Sequence, residues 1–460
     1  MKKSFVLTAV LLGICLPVSV NADWKDDIGY TALMARIGGG LEDGTGVQVG
    51  ISEAFVGGQY MPDVTNAQFT GKTITNVTGS HSGSSTHATS VARLFFGNTT
   101  SISGGVTQVY AYSADDWALN VSGYSTSTDP TAPQFQVMNN SWVDRASSST
   151  TAAEATAILH HIDYMVNTFD TTIVGGTDNS GGLPKLLAPS YNTITVGRTN
   201  GTHASGTTSF YGAGRSKPDI VAPATTTSSS TPMVSSAATL LYQKGMGTDA
   251  VRSETLRAVL MAGATKEEFP DWDHTSTRPL DEVFGAGELN VDNSYSILEG
   301  GQFAGSTSQP VSLIGEDGWD YQAGINPSDP IYYDFEIVDG MRWEDFSVIL
   351  AWNMDIIDTD GSGTFSPLEN LANLDLRLYD STDSFLNSVV DLSVSTIDNV
   401  EHLYIGRLES GRYTLEVTAD QSQDFGIAWR SNLSAVPEPN SLAFLAIAAS
   451  ALTFRRKRNT

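Results

Sequence analysis

The hydrophobic pattern of this sequence changes near residue 300, and that change constrains the fold more than any other feature. Before it, strand-like apolar runs (46–51, 135–138 and 171–174) alternate with helix-like segments (152–166 and 231–243). Such alternation is typical of a parallel sheet flanked by crossover helices. We therefore predict an α/β domain over residues 23–299.

The second part of the chain, residues 300–433, follows a different period. Apolar residues recur at every second position in six segments separated by Asp-Gly, Asp-Ser and Ser-Gly turns: 332–337, 346–352, 374–379, 402–408, 413–417 and 425–429. Short strands with turn signals between them, and no long helix, predict an all-β sandwich or jelly-roll domain.

The first 22 residues have the composition of a secretory signal peptide. Two lysines precede an apolar stretch that ends at Val20-Asn21-Ala22, a small-residue cleavage site. The alternative is an N-terminal membrane anchor, but the apolar run is short and is broken by Pro17. The only cysteine of the chain, Cys15, lies in this segment, so no disulfide framework is expected.

Residues 434–460 also have the composition of a targeting segment. Pro437-Glu438-Pro439 precedes a mostly apolar stretch over 442–454, and four basic residues follow at 455–458. This order resembles the PEP-CTERM sorting signal. The resemblance implies export to the cell surface or extracellular matrix of a Gram-negative bacterium, transient membrane contact through the tail, and an exosortase-type partner. The alternative is a tail-anchor helix that stays in the membrane.

The charge balance excludes one class of partner. The chain has 25 basic and 51 acidic residues, for a formal net charge of −26. Nucleic-acid binding needs a basic face, so we expect no nucleic-acid partner. A surplus of carboxylates is instead compatible with Ca²⁺.

Two short motifs carry the residue types of nucleophilic catalysis. His87 opens the segment HATSVA, and Ser228 opens SSSTPMV just before the helix expected from Thr231. A serine hydroxyl is a weak nucleophile until a base such as histidine accepts its proton, and a carboxylate must orient that base. Taken alone, His87 could be a polar helix residue and Ser228 part of a polar loop.

Together these motifs resemble the subtilisin-like serine proteases. Residues 87–92 fit the family pattern H-x-T-x-V-A, residues 228–234 keep the Ser, Thr-Pro and Val of S-M-A-T-P-x-V, and residues 217–223 match K-P-D-I-V-A-P. The resemblance covers roughly residues 40–297. It implies a subtilisin-like fold, a protein or peptide substrate, Ser228 as nucleophile, His87 as base, and no organic cofactor.

The carboxylate and the residues before the nucleophile depart from the family pattern. Glu53 follows the strand at 46–51, where the family usually has Asp, and Asp63 is its competitor, with Asp43 less favoured. Residues 226–227 are Thr-Thr where Gly-Thr is usual. Because glycine permits backbone angles that threonine resists, we expect this loop to be distorted or specialised.

The resemblance also assigns an oxyanion donor and a substrate-binding segment. Asn179 follows the apolar strand at 173–176 in a sequence similar to the family's G-N-S-G, with Asp178 in place of Gly; the alternative is a plain turn. The segment Asn140-Ser141-Trp142 resembles the edge that pairs with substrate backbone, although Trp142 could equally be a core residue.

Residues 358–369 fit the 12-residue EF-hand calcium loop. The sharp turn at loop position 6 has the required glycine, Gly363. The expected ligands are Asp358, Asp360, Ser362, Thr364 (through its carbonyl), Ser366 and Glu369. Because no helix is expected before the loop, we predict a Ca²⁺-binding insertion in the β domain that rigidifies it. The alternative is an acidic hairpin turn.

The sequence as a whole predicts an exported serine endopeptidase that forms an acyl-enzyme. The main alternative is a catalytically inactive subtilisin-like scaffold with a structural or adhesive role at the cell surface, favoured by Glu53 and the Thr226-Thr227 departure. An esterase that uses the same triad is a further possibility.

Overall fold

A computed structural model describes residues 23–436 except 80–82, 145–147, 310, 359 and 368–369. The predicted signal peptide (1–22) and nearly all of the predicted sorting tail (434–460) lie outside the described residues. Within the described part of the chain, no helix has both the length and the apolar character needed to cross a membrane.

The first part of the chain is built on a seven-stranded parallel sheet, as predicted. Its strands occur in the order β2-β3-β1-β4-β5-β6-β9. Their bounds are β1 Gln48–Glu53, β2 Thr73–Asn76, β3 Gln108–Ser113, β4 Val137–Asn140, β5 Thr172–Gly176, β6 Ile194–Arg198 and β9 Ile220–Ala222. A two-stranded ribbon lies between β6 and β9, formed by β7 Gly206–Thr207 and β8 Ser216–Lys217.

Eight α-helices accompany the strands in the described residues. They are α1 Trp24–Asp27, α2 Tyr30–Ile37, α3 Thr86–Phe96, α4 Ala114–Asp116, α5 Ala152–Phe169, α6 Thr227–Gly245, α7 Ser253–Ala262 and α8 Val291–Gly300. The longest, α6, is almost entirely buried and packs against α3, β4, β5 and β6. Its small side chains explain this position, because Ser, Thr and Ala allow close approach to the sheet.

The start of α6 differs from the sequence expectation. The helix begins at Thr227 rather than near Thr231, so Ser228 lies inside its first turn and Pro232 lies in the second turn. Proline has no N–H to donate and therefore leaves the carbonyl of Ser228 without its helical hydrogen bond. Thr226, in an extended conformation (φ −139°, ψ 150°), is the N-cap but makes no side-chain capping hydrogen bond.

The second part of the chain is antiparallel, as predicted. Two four-stranded sheets have the orders β10-β19-β12-β17 and β11-β18-β15-β16 and share one apolar cluster. Their bounds are β10 Gly318–Ile325, β11 Ile331–Ile337, β12 Met341–Ala351, β15 Leu374–Asp380, β16 Ser388–Ser393, β17 Val400–Leu408, β18 Gly411–Ala419 and β19 Gln423–Ala435; the short pair β13 Ile356–Ile357 and β14 Ser366–Pro367 forms a separate hairpin. The finer assignment as a sandwich or jelly roll stays a prediction.

The two parts of the chain pack tightly against each other. Helix α7 of the first part contacts β12 and β19 of the second, and Ile349, Ala351 and Ala428 belong to the core cluster of the α/β part. The buried guanidinium of Arg257 on α7 donates to the carbonyls of Tyr191 (2.6 Å) and Trp352 (2.5 Å). The parallel and antiparallel parts of the chain therefore share a continuous packed core.

Candidate active site

Parallel strands bring the predicted catalytic segments to one edge of the sheet. Strand β1 ends at Glu53, β5 ends just before Asn179, and β9 leads into the loop before Ser228. Because these strands run in the same direction, their carboxyl ends meet at one edge, where open α/β sheets place their sites.

Glu53 and His87 are in direct contact. The Nδ1 atom of His87, in the first turn of α3, lies 2.7 Å from Oε2 of Glu53. Glu53 is 1% exposed, whereas the side chain of His87 is 36% exposed. The extra methylene of glutamate therefore does not prevent the contact. Glu53 thus holds the imidazole of His87 through Nδ1, while part of the ring remains accessible to solvent.

The environment of this pair shifts both pKa values. Burial raises the pKa of the Glu53 carboxyl, and the hydrogen bond to His87 partly opposes that shift. The hydrogen bond that His87 donates to Glu53 raises the pKa of His87, with burial acting in the opposite direction. A histidine made more basic by a buried carboxylate accepts a proton more readily, as a general base requires.

The competing carboxylates have other partners. Oδ1 of Asp63 accepts hydrogen bonds from the backbone N–H (3.0 Å) and hydroxyl (2.7 Å) of Thr65. Asp43 accepts the equivalent pair from Thr45. Both carboxylates therefore stabilise local turns, and Glu53 is the one that contacts His87.

Ser228 lies half-buried in the first turn of α6. Its hydroxyl is 3.2 Å from Oγ1 of Thr226, which also lies 2.9 Å from Oγ of Ser229. Thr226 is extended, a conformation that threonine adopts readily, so the backbone strain expected from the missing glycine is absent at this residue. In the described residues no hydrogen bond joins Ser228 to His87. Catalytic hydrogen bonds are often long without substrate and shorten in the complex.

Asn179 is tied directly to the start of the nucleophile's helix. Its Oδ1 accepts the backbone N–H of Thr227 at 2.9 Å, and its own N–H donates to Asp178 at 2.7 Å. Since Oδ1 faces a donor, the amide is oriented and Nδ2 points the other way with two N–H groups. Asn179 is exposed, so these donors are available at the surface of the site.

The predicted substrate-binding segment is only partly available for pairing. Asn140 is the last residue of β4 and lies between β1 and β5, paired with Ser52 and Gly175. Trp142 is 9% exposed, and its Nε1 donates to Oγ of Ser52 at 2.7 Å. Any added substrate strand must therefore pair beyond Asn140.

The predicted calcium loop forms the tip of the β13–β14 hairpin. Oδ1 and Oδ2 of Asp358 accept the N–H groups of Ser362 (3.2 Å) and Gly363 (2.7 Å), and Gly363 has φ +72°. Strands rather than helices flank it, as expected. Residues 359, 368 and 369 lie outside the described residues, among them the predicted ligand Glu369. Among the residues that are described, no three Asp, Glu, His or Cys side chains lie close enough to hold an ion.

Phe365 anchors this loop to the α/β part. Its ring packs against His161 (centroids 4.3 Å apart) and Tyr164 (4.5 Å) on α5, and its carbonyl lies 2.9 Å from Nδ1 of His160. Asp360, Ser362 and Thr364 are exposed around the turn at Gly363. This oxygen-rich donor set has the chemistry that Ca²⁺ prefers.

Sequence reasoning missed Arg198. This residue ends β6, is 8% exposed, and donates to the carbonyls of Thr225 (2.6 Å) and Asn179 (3.0 Å). An arginine at the end of the apolar run ITVGR was the available signal. The identity of its partners depends on the sheet order, which the sequence does not show.

Comparison with known proteins identifies a family pattern over much of the chain. The pattern described as the subtilase family matches residues 44–287, which is more than half of the chain. The matched range contains Glu53, His87, Asn179 and Ser228. No curated protein matches the chain.

Solved structures of proteases resemble the chain at low sequence identity. A cold-adapted subtilisin-like serine proteinase is 18% identical, covering 50% of this chain and 86% of its own, with a TM-score of 0.35. A lanthipeptide protease is 13% identical, covering 60% and 92%, with a TM-score of 0.42. The nisin leader peptidase NisP from Lactococcus lactis is 14% identical, covering 60% and 92%, with a TM-score of 0.39.

Proposed function

Since this chain belongs to the subtilase family, a family of serine-type peptidases, we propose that it is an exported serine endopeptidase that hydrolyses peptide bonds through an acyl-enzyme. The observation that supports this most directly is the contact of 2.7 Å between buried Glu53 and His87 at the edge of the sheet where α6 begins. A buried carboxylate behind a half-exposed histidine is the base that a serine nucleophile needs.

Proton transfer follows from the orientation of His87. Because Nδ1–H donates to Glu53, the neutral imidazole carries its free lone pair on Nε2. Nε2 then accepts the proton of Ser228 as Oγ attacks the carbonyl carbon of the substrate. The resulting imidazolium is stabilised by the Glu53 carboxylate, and it returns the proton to the leaving amine. A water molecule, activated by His87 in the same way, then attacks the acyl-enzyme and releases the acyl group from Ser228. For this reaction, the hydroxyl of Ser228 must give up its hydrogen bond to Thr226 and form one to Nε2 of His87.

The developing oxyanion has two donors of different kinds. The backbone donor is the N–H of Ser228 itself, because the neighbouring N–H groups already donate to the Thr226 carbonyl or to Asn179, and the dipole of α6 favours negative charge at this end. Nδ2 of Asn179 supplies the side-chain donor, because Oδ1 is already held by Thr227. Removing one such donor costs about 2.7–4 kcal/mol of transition-state stabilisation.

The proposed activity is tested with a matched pair of serine variants. Ser229 is the neighbour of Ser228 and is also half-buried, so Ser229→Ala controls for loss of a hydroxyl in this turn. We expect Ser228→Ala to abolish cleavage of an unstructured protein substrate and Ser229→Ala to retain most of it. Equal activity in wild type and Ser228→Ala would contradict the proposal.

A catalytically inactive scaffold is the second candidate. The hydrogen bond of Ser228 to Thr226 instead of His87 is the observation in its favour. This candidate predicts no cleavage by the wild type and no difference between the two serine variants. Thr226→Gly distinguishes the cases further, because it frees the Ser228 hydroxyl and would raise activity if Thr226 restrains it.

We further propose that the loop at 358–369 binds Ca²⁺ as a structural ion. Asp358, Asp360, Ser362, Thr364, Ser366 and Glu369 would hold it, and the ion would rigidify a loop that is anchored to α5 by Phe365. Millimolar Ca²⁺ should raise the melting temperature of wild type but not of Asp358→Asn, and equimolar Mg²⁺ should have less effect. An unchanged melting temperature with EDTA would contradict this proposal.

Export and surface sorting are proposed from the two terminal segments alone. A signal peptide at 1–22 and a PEP-CTERM tail at 434–460 would place the enzyme at the surface or in the extracellular matrix of a Gram-negative bacterium, with an exosortase as processing partner. Mass spectrometry of the surface-associated protein should find an N-terminus after Ala22 and loss of the basic residues 455–458. Intact termini in that fraction would contradict this route.

A further inference from the structure

The order of the strands places Arg198 between the two segments that carry the proposed catalytic groups. Strand β6 lies between β5 and β9, and Arg198 is its last residue, level with Ala222 at the end of β9. The segment that follows β5 carries Asn179, and the segment that follows β9 carries Ser228. Arg198 therefore emerges between the oxyanion donor and the nucleophile.

The guanidinium of Arg198 bridges these two segments. Nη1 donates to the carbonyl of Thr225, three residues before Ser228, at 2.6 Å, and Nη2 donates to the carbonyl of Asn179 at 3.0 Å. Arg198 is 8% exposed, and its Nε is buried without a partner among the described residues. A rigid planar fork that reaches two carbonyls fixes their separation, which a lysine ammonium on a flexible stem does not.

A second contact closes these interactions into a ring. Oδ1 of Asn179 accepts the N–H of Thr227 at 2.9 Å. The same two segments are thus joined once by the Asn179 side chain and once by Arg198. With the ring intact, the two segments cannot move relative to each other without breaking one of these partly buried hydrogen bonds.

The backbone of Arg198 is itself held by a neutral histidine. The N–H of Arg198 donates to Nδ1 of His203 at 3.1 Å, and Nε2 of His203 donates to the carbonyl of Val283 at 2.9 Å. Burial lowers the pKa of His203 to about 4, so Nδ1 remains an acceptor at neutral pH. These two hydrogen bonds of His203 fix the backbone position from which the Arg198 side chain extends.

We propose that Arg198 is a positioning residue that holds Asn179 and the Thr225–Ser228 segment in their catalytic register, so that the oxyanion donor and the nucleophile stay aligned. This inference rests on the proposed function. It assigns to a buried arginine the restraint on the loop before Ser228, where Thr226 stands in place of the usual glycine. Arg198 acts through Asn179 and the α6 start, and it touches no substrate.

The test compares Arg198→Met and Arg198→Lys with a control arginine. Arg215 is also buried and donates to backbone carbonyls, those of Ser190 and Tyr211, in a different loop, so Arg215→Met measures the general cost of losing a buried guanidinium. At equal folded fraction, we expect Arg198→Met to lower kcat by about 30–100-fold with KM changed less than about threefold, because small misplacements of catalytic groups have effects of this size. Arg198→Lys should fall between Arg198→Met and wild type.

A double-mutant cycle separates positioning from a general structural effect. If Arg198 aligns Asn179 with the nucleophile, Arg198→Met should lower kcat by a smaller factor in an Asn179→Ala background than in wild type, because one of the two aligned groups is already gone. Full additivity of the two losses would overturn the proposal. So would Arg198→Met activity within about threefold of wild type, or an equal kcat loss in Arg215→Met at equal folded fraction.

Amide hydrogen exchange keeps this inference distinguishable from the proposed function. If wild type neither cleaves substrate nor reacts with an active-site probe, the proposed function fails. The restraint by Arg198 is then judged by the amide exchange rates of residues 225–230. Arg198→Lys, or Arg198→Met if it folds, should exchange these amides at least about tenfold faster than wild type. Unchanged exchange rates of these amides would overturn the proposal that Arg198 restrains this segment.

Discussion

Replacing Glu53 by glutamine tests the least conventional part of the site. The substitution keeps the size of the side chain and removes its charge. A hydrogen bond to a charged group contributes about 1.5–3 kcal/mol, which corresponds to a loss of about 10–150-fold in rate. This is the minimum expected from the contact of 2.7 Å to His87.

The tautomer of His87 increases the expected loss. Oε1 of Glu53 is buried and has no hydrogen-bond partner among the described residues, so that position offers no acceptor to the NH₂ group of a glutamine. The NH₂ group is therefore favoured next to His87, where it donates to Nδ1 and moves the imidazole proton to Nε2. In that tautomer Nε2 cannot accept the proton of Ser228, and the total loss approaches about 10⁴-fold.

Glu53→Asp is the matched variant that keeps the charge. Its carboxylate ends one bond, about 1.5 Å, short of the present contact, so the hydrogen bond to His87 lengthens beyond the normal range. We expect a loss of about 10–100-fold for this variant, smaller than for glutamine.

The assay is the dependence of kcat/KM on pH for a fluorogenic peptide. The hydrogen bond that His87 donates to Glu53 raises the pKa of His87, so the acid limb of the wild-type profile should move to lower pH in Glu53→Gln. If Glu53→Gln keeps kcat/KM within about threefold of wild type, or if its acid limb does not move, the assignment of Glu53 is wrong.

The stability of the same variant has a defined sign. Burial raises the folded-state pKa of Glu53 above its ordinary value of 4.5. Its contribution to stability is therefore fully present below that value and is lost as the pH rises through the folded-state pKa. Glu53→Gln should remove this dependence, and at neutral pH its melting temperature should equal or exceed that of wild type.

Three further predictions concern packing. Trp142→Phe removes the hydrogen bond to Ser52 and should cost about 1–3 kcal/mol in the free energy of unfolding, measured by urea denaturation; an unchanged midpoint would contradict the role of this contact. Arg257→Met leaves buried carbonyls of both parts of the chain unpaired and should cost about 3–5 kcal/mol while one cooperative transition remains in calorimetry; two separate transitions would contradict the shared core. Burial lowers the pKa of Lys266 well below its ordinary value, so its contribution to stability is present at high pH and lost as the pH falls through the folded-state pKa; Lys266→Met should raise the melting temperature more at pH 6 than at pH 9, and an equal gain at both would contradict this reading.

The sequence predicts the architecture because local patterns determine it. Alternating apolar strands and helices indicate a parallel sheet, and period-two segments indicate antiparallel strands. The catalytic roles of His87, Ser228 and Asn179 are predicted from the resemblance of their short motifs to those of subtilisin-like proteases, because each motif taken alone has a plain structural interpretation. The role of Glu53 is predicted from its place directly after the apolar run 46–51, which the structure shows as the end of β1, although the motif there is unusual.

Other features depend on three-dimensional neighbours that the sequence does not encode locally. Arg198 acquires its role because β5, β6 and β9 are adjacent, and Arg257 because α7 packs under the antiparallel sheets. The start of α6 was placed too late because the run of Ser and Thr before Thr231 has the composition of a loop. Burial against the sheet overrides that weak preference.

The central claim is that Ser228 is a nucleophile activated by His87, and a fluorophosphonate probe tests it most directly. Mass spectrometry should map a single adduct to Ser228 in wild type and in Ser229→Ala. The labelling rate should fall by at least about 10²-fold in His87→Ala, because the general base is lost. An adduct on another serine, or equal labelling of wild type and His87→Ala, would contradict this account.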